Sequence, residues 1–221
     1  MILQVPSLST KKFLDEASKT YEERLPGSVA EKYLLNRGIT NEAMTYFRLG
    51  YVGSDPSPGH EFMEHRLSIP YITPTGIVQI RFRAIPEDGV PGNPEVSPKM
   101  LSVANSGTML YNTRDLLDSN PTVAICEGEP DTWSARMLGI PAVGIPGAKA
   151  WEKIKNVRRA FRFRKVIILA DNDDKGEGLE LAQTIQADIR NARIILMPEG
   201  HDVNSFVRDN GLDALKEKIG I

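Results

Sequence analysis

The feature that most narrows the fold is a rhythm in the second half of the chain. After Asn120-Pro121, short apolar runs alternate with helix-length stretches: a strand over 122–126 and a helix over 130–138, a strand over 141–145 and a helix over 149–161, a strand over 166–170 and a helix over 176–189, a strand over 193–197 and a helix over 203–218. Runs such as Val123-Ala124-Ile125-Cys126 and Val166-Ile167-Ile168-Leu169-Ala170 are apolar at every position, as in strands buried on both faces. The predicted architecture is α/β, a parallel sheet covered by helices.

In such a sheet ligands bind beyond the carboxyl ends of the strands, and acids stand at those positions. Glu127-Gly128-Glu129-Pro130-Asp131 follows the first run and Asp171-Asn172-Asp173-Asp174-Lys175-Gly176 follows the third. A later junction, Pro198-Glu199-Gly200-His201-Asp202-Val203-Asn204, supplies Asp202. Asp171 and Asp173, two apart in an extended segment, project the same way and suit hard cations that take oxygen ligands. Each acid also has a plainer reading: Glu127 as a helix-start carboxylate, the Asp171–Asp173 pair as a capped loop, Asp202 as an N-cap. Their convergence at three successive edge positions raises the metal reading. Gly128 permits a tight turn, Asp131 caps or buttresses the next helix, and Glu129 is expected in solvent. Pro146-Gly147-Ala148-Lys149 suits a phosphate held by backbone N–H groups and the Lys149 ammonium.

Several classes drop out. The sequence has no Gly-x-x-x-x-Gly-Lys loop, no Gly-x-Gly-x-x-Gly after a strand and no Ser-His-Asp set that can be ordered. Its single cysteine, Cys126, excludes an internal disulfide framework and a multi-cysteine zinc site. No apolar stretch is long enough to span a membrane, and a cytoplasmic location is expected. The formal charge of −2 conceals segregation: Lys149, Lys153, Lys155, Arg158, Arg159, Arg162, Arg164 and Lys165 crowd one stretch against Glu152 alone, while acids gather at 171–180. That run is either a surface for a polyanion or a solvated helix face.

Upstream, residues 11–36 carry helical spacing broken at Pro26-Gly27, and Thr40 is the N-cap of a third helix. The helix-Gly-helix segment has the outline of a DNA-reading motif, but a packing unit is the commoner meaning. Residues 66–83 read as a hairpin turning at Pro74-Thr75-Gly76, with Arg81 and Arg83 on one face of its second strand. The Pro- and Gly-rich stretch 86–98 reads as a long loop, expected to move.

The Glu-Gly after one strand and the Asp-x-Asp after another resemble the TOPRIM domain. Glu127-Gly128-Glu129-Pro130-Asp131, Asp171 to Gly176 and Asp202-Val203-Asn204 together resemble the catalytic core of DnaG-type primases of bacteria and phages. So do Tyr33-Leu34-Leu35-Asn36-Arg37-Gly38-Ile39, Phe47-Arg48-Leu49-Gly50-Tyr51 and Pro98-Lys99-Met100-Leu101, which extend the likeness over most of residues 15–210. The resemblance implies an α+β amino-terminal subdomain over 1–120 and a TOPRIM subdomain over 121–221, with nucleic acid held between them. It implies RNA primer synthesis from ribonucleoside triphosphates on single-stranded DNA, with Mg2+ or Mn2+ held by Glu127, Asp171 and Asp173 and assisted by Asp202. Gly128, Asp131 and Asn204 would support that site, and the matching segments put Arg83 and Lys99 forward to bind template or nucleotide; the residues themselves add Arg81, on the same strand face as Arg83, and Lys149 as phosphate-binding candidates. The segment before Leu110-Tyr111, Asn105-Ser106-Gly107-Thr108-Met109, lacks a basic residue common in primases. A zinc-binding module and a replicative helicase are expected in trans. The competing readings are a TOPRIM-type nuclease and a non-catalytic module that clamps single-stranded DNA.

Overall fold

The computed structural model describes residues 6–91, 98–103 and 106–221. It falls into two compact units, Met1–Gly107 and Thr108–Ile221. The first opens with α1 (Leu8–Glu23), where the Ser7 hydroxyl accepts the Thr10 N–H. After the Pro26-Gly27 break, Ser28 caps α2 (Val29–Asn36) and Thr40 caps α3 (Asn41–Tyr46). Both short helices turn side chains inward, Ala30, Tyr33 and Leu34 from α2 and Ala43 and Met44 from α3, as a packing unit does.

Four antiparallel strands follow, β1 (Gly50–Tyr51), β2 (Leu67–Thr73), β3 (Gly76–Arg83) and β4 (Met100–Ser102), lying side by side in chain order. The hairpin turn falls at Pro74-Thr75-Gly76, with a register shift between Tyr71 and Ile72. Helix α1 lays Leu14, Ala17 and Tyr21 against Ile72, Ile77, Ile80 and Phe82 of the sheet, each fully buried large side chain contributing about 1.5–3 kcal/mol. A Cβ at Gly50 would stand 2.5 Å from the Tyr21 carbonyl carbon, so only glycine admits so close an approach of α1 to β1. The loop expected over 86–98 lies partly outside the described residues.

The second unit runs β5 (Thr122–Glu127), α4 (Glu129–Arg136), β6 (Ala142–Ile145), α5 (Trp151–Ile154), β7 (Lys165–Ala170), α6 (Glu177–Asp188), β8 (Arg193–Leu196) and α7 (Val203–Ile219). The strands form a parallel sheet ordered β6-β5-β7-β8. Alternation within β5 explains why every position in its apolar run is buried. Val123 and Ile125 pack with Trp151, Leu181 and Ile185 on one face, and Ala124 and Cys126 pack with Ala135, Val203 and Phe206 on the other. Neighbouring strands β5 and β7 send their following helices, α4 and α6, to opposite faces, so a crevice opens at their carboxyl ends.

Two expectations need correction. The crossover over 149–161 is not one helix but a 3-10 turn at Ala148–Ala150, one turn of α5, and a 3-10 stretch over Lys155–Phe161. Like charges four apart, Lys155 with Arg159 and Arg158 with Arg162, oppose a continuous α-helix. The boundary between units lies at 107/108 rather than 120/121. Residues 108–120 cover the β6 edge instead: Tyr111 exchanges backbone hydrogen bonds with Gly144 at 2.8 and 3.3 Å, and Asp115 Oδ2 accepts the Ala142 N–H at 3.0 Å. A covered edge leaves no open row of backbone donors. No helix among the described residues is long and apolar enough to cross a membrane.

Candidate functional site

The register pairs Cys126 of β5 with Leu169 of β7, so Glu127 and Asp171 emerge side by side from adjacent parallel strands. Gly128, at φ +89°, turns the chain from β5 into α4, a left-handed conformation that any other residue would strain. On the β7 side, a Cβ at Gly178 would stand 2.4 Å from the Asp171 carbonyl oxygen, so the first turn of α6 is seated directly on Asp171. Asn172 ties this loop to the one after β8: its N–H donates to the His201 carbonyl at 3.0 Å, its Nδ2 to the Met197 carbonyl at 3.0 Å, and its own carbonyl accepts the Gly200 N–H at 2.9 Å.

The electrostatics are dominated by like charge. Burial pushes the half-buried Asp171 carboxyl up to about 10, reinforced in turn by Asp131, Asp202, Glu127 and Asp173. Asp171 Oδ1 is buried and has no hydrogen-bond partner. Burial, then Asp173 and Glu177, push Glu127 up as well. Asp173 is different: its desolvation is outweighed by the backbone N–H groups of Lys175, Glu177, Gly178 and Gly176, which hold it below the usual carboxylate range. Its Oδ1 accepts from Lys175 at 2.8 Å and from Glu177 at 3.3 Å. A buried carboxylate without a partner, facing other carboxylates, is costly until a cation neutralises the group.

Asp202 is the N-cap of α7 in a capping box: its Oδ1 accepts the Ser205 N–H at 2.6 Å, and Ser205 Oγ accepts the Asp202 N–H at 3.0 Å. The plainer reading of Asp202 therefore holds, while its charge still reaches Asp171. Asp131 is buried and its Oδ1 accepts the Asn204 N–H at 2.9 Å, and Asn204 Nδ2 donates to Ser134 Oγ at 2.9 Å. That buried link fastens α4 to α7. Glu129, expected in solvent, is only 5% exposed, because α4 turns it inward alongside Pro130 and Asp131.

The arrangement has the donor chemistry for a divalent cation. Among the described residues, no three His, Cys, Asp or Glu side chains close tightly around one point. Magnesium does not require such a cage, since it keeps several waters and binds through one or two carboxylates together with substrate phosphates. Glu127, Asp171 and Asp173 fit that role, with the orphaned Asp171 oxygen as the clearest unmet acceptor among them.

The basic candidates are distributed differently. Lys149 is exposed on the 3-10 turn after β6. In the first unit, Arg83 is 6% exposed, donates from Nε to the Tyr33 hydroxyl at 2.9 Å, and stands 5.9 Å from the Tyr33 ring centre. Arg81 donates to the Tyr71 hydroxyl at 3.2 Å. Lys99 is exposed, and its carbonyl accepts the Ala84 N–H at 2.9 Å. His201 contacts Asp209 and Phe206. Sequence reasoning missed Glu177, Gly178 and the bridging part of Asn172. The one signal that could have found them was their position within a helical turn or so of Asp171 and Asp173.

A Toprim domain model matches residues 122–213. The gene 57 protein of Mycobacterium phage D29 is 40% identical over 159 residues, covering 69% of this chain and 97% of that protein. A DNA primase of Clostridium acetobutylicum is 28% identical over 92% of this chain, which spans 39% of that primase. The crystal structure of the Aquifex aeolicus primase, comprising zinc-binding and RNA polymerase domains, superposes over 100% of this chain and 63% of its own, with a TM-score of 0.74 and 22% identity.

Proposed function

The chain belongs to the DnaG-type primase family and carries its TOPRIM domain, and from that membership we propose that it synthesises short RNA primers on single-stranded DNA by nucleotidyl transfer. The observation that carries this reading is the carboxyl cluster at the ends of β5 and β7, centred on an Asp171 raised to about 10 with a buried, unpartnered oxygen.

Glu127, Asp171 and Asp173 would hold Mg2+ or Mn2+, and the charge of Asp202 would assist. A bound ion supplies neutralisation of triphosphate charge and a lowered pKa for an attacking hydroxyl. The chain's own part is placement. Asn172 holds the Asp171–Asp173 loop against the loop after β8, and the backbone donors around Asp173 keep that carboxylate ionised at neutral pH. Exposed Lys149 would orient a phosphate, while Arg81, Arg83 and Lys99 would act on template or triphosphate. Because Arg83 is buried against Tyr33, its contribution includes holding its own unit together. A replicative helicase and a zinc-binding module acting in trans complete the proposal, the Aquifex structure joining a zinc-binding domain to its polymerase domain.

The test is to incubate the protein with single-stranded DNA, labelled ribonucleotides and manganese. Growth of labelled oligonucleotides is the expected result. Shortening of the DNA would replace the reading with a nuclease. Neither change, together with no manganese binding by calorimetry, would leave a DNA-clamping module.

A further inference from the structure

The crossover between β6 and β7 carries chemistry that the acid site does not use. It begins beside the carboxyl end of β6 and must end at the amino end of β7, so it traverses the full height of the sheet. Trp151, Ile154 and Phe161 are its inward anchors, buried in the cluster on that face. Its charged residues are left outside.

Of the eight cations between 149 and 165, three have a partner within the chain. Lys155 pairs with Glu152 at 2.8 Å, Arg164 donates to the carbonyls of Leu116, Asp118 and Asn120, and Arg158, though exposed, donates to the Lys155 carbonyl at 3.2 Å. Lys153, Arg158, Arg159, Arg162 and Lys165 are exposed, and among the described residues none has a carboxylate within ion-pairing distance. At the far end stands Phe163, 90% exposed, with the Arg162 guanidinium 5.4 Å from its ring centre. A phenylalanine this exposed gains nothing from folding, and a charge run alone does not call for one. Cations along a track with an open aromatic face are what an unpaired nucleic-acid strand recognises, phosphates on the charges and a base on the ring. A duplex hides its base faces, and an acidic protein surface would make no use of the ring. Because β7 has six residues, Phe163 lies about 20 Å along the strand direction from Asp171, well outside the acid cluster.

We infer that the outer face of this crossover is a second nucleic-acid site, a track for single-stranded DNA or RNA that ends in a base stacked on Phe163. This inference rests on the primase reading for its biological sense, but it is tested separately. Fluorescence anisotropy with labelled dT20 and rU20 at several salt concentrations would compare the full-length chain with Phe163→Ala, Phe163→Tyr and the triple change Arg158→Gln/Arg159→Gln/Arg162→Gln. Phe163→Ala should weaken single-strand binding roughly 5- to 100-fold with an unchanged salt slope, and Phe163→Tyr should restore it. The triple change should flatten the slope by about 2, near 0.7 for each phosphate no longer neutralised. A stronger effect on dT20 marks the occupant as template, and a stronger effect on rU20 marks it as product. Binding of a duplex of the same length should be indifferent to Phe163→Ala. Wild-type single-strand affinity in both Phe163→Ala and the triple variant overturns the inference, whether the true occupant is an acidic protein or solvent. If affinity is unchanged in those variants but the unaltered protein synthesises primers, the track falls and the primase reading stands; absence of synthesis by the unaltered protein would count against the reading itself.

Discussion

Asp171 sets up a stability effect whose sign can be worked out. Its carboxyl is raised from 3.8 to about 10 in the folded, cation-free protein, so between those values the folded state holds more protons than the unfolded one. Stability from this group is therefore present at low pH and is lost as pH rises through that window. Without divalent ions, Asp171→Asn should raise the thermal midpoint at about pH 8 by roughly 2–8 °C, the equivalent of about 1–2 kcal/mol in a chain of this size. The advantage should shrink as pH is lowered toward about 5. Magnesium should raise the wild-type midpoint and leave that of Asp171→Asn nearly unchanged; calorimetric scans with and without magnesium check both. Gly178 gives a second prediction at this scale. Alanine in place of a helical glycine is favoured by about 0.5–1 kcal/mol, but a Cβ 2.4 Å from the Asp171 carbonyl oxygen is overpacking that costs about 1–3 kcal/mol. Crowding wins, so Gly178→Ala should lower the urea midpoint and the affinity for manganese. The acids themselves were legible in the sequence because motif and strand end coincide. The seating of Gly178 on Asp171 was not, since it depends on how α6 packs.

Among the elements, α7 separates two roles that one residue combines. Asp202 caps the helix and adds negative charge near Asp171. Asparagine caps about as well as aspartate, whereas alanine forfeits about 1 kcal/mol. Asp202→Asn should therefore keep wild-type stability while weakening manganese binding, and Asp202→Ala should lose both; equal manganese affinity in the two variants and the wild type would restrict Asp202 to capping. The alternating strands and helices after residue 121 could be anticipated from the apolar runs, but not the break at Gly211 within α7, the 3-10 turn at Thr113–Leu117 or the β6–β7 crossover. There, Trp151, Ile154 and Phe161 give helical spacing, but repulsion within the Lys155–Arg162 run breaks the helix into 3-10 turns. The same blind spot hid the burial of Glu129 and of Arg83, since one-dimensional spacing says nothing of what a neighbouring element covers.

For the molecule as a whole, the parallel order β6-β5-β7-β8 brings acids distant in sequence to one edge, which the strand-end pattern anticipated. The boundary between units was harder to read, because residues 108–120 look like a linker until Tyr111 and Asp115 are seen bonded to the β6 edge. The role proposed for this edge is metal-dependent RNA synthesis. Its most direct test compares the unaltered protein with Asp171→Asn in primer synthesis on single-stranded DNA, with labelled ribonucleotides, under saturating magnesium or manganese. Labelled oligonucleotides are expected from the former and a loss of about 10²-fold or more in the variant, with single-strand affinity preserved. Synthesis by Asp171→Asn at the unaltered protein's rate would contradict that role.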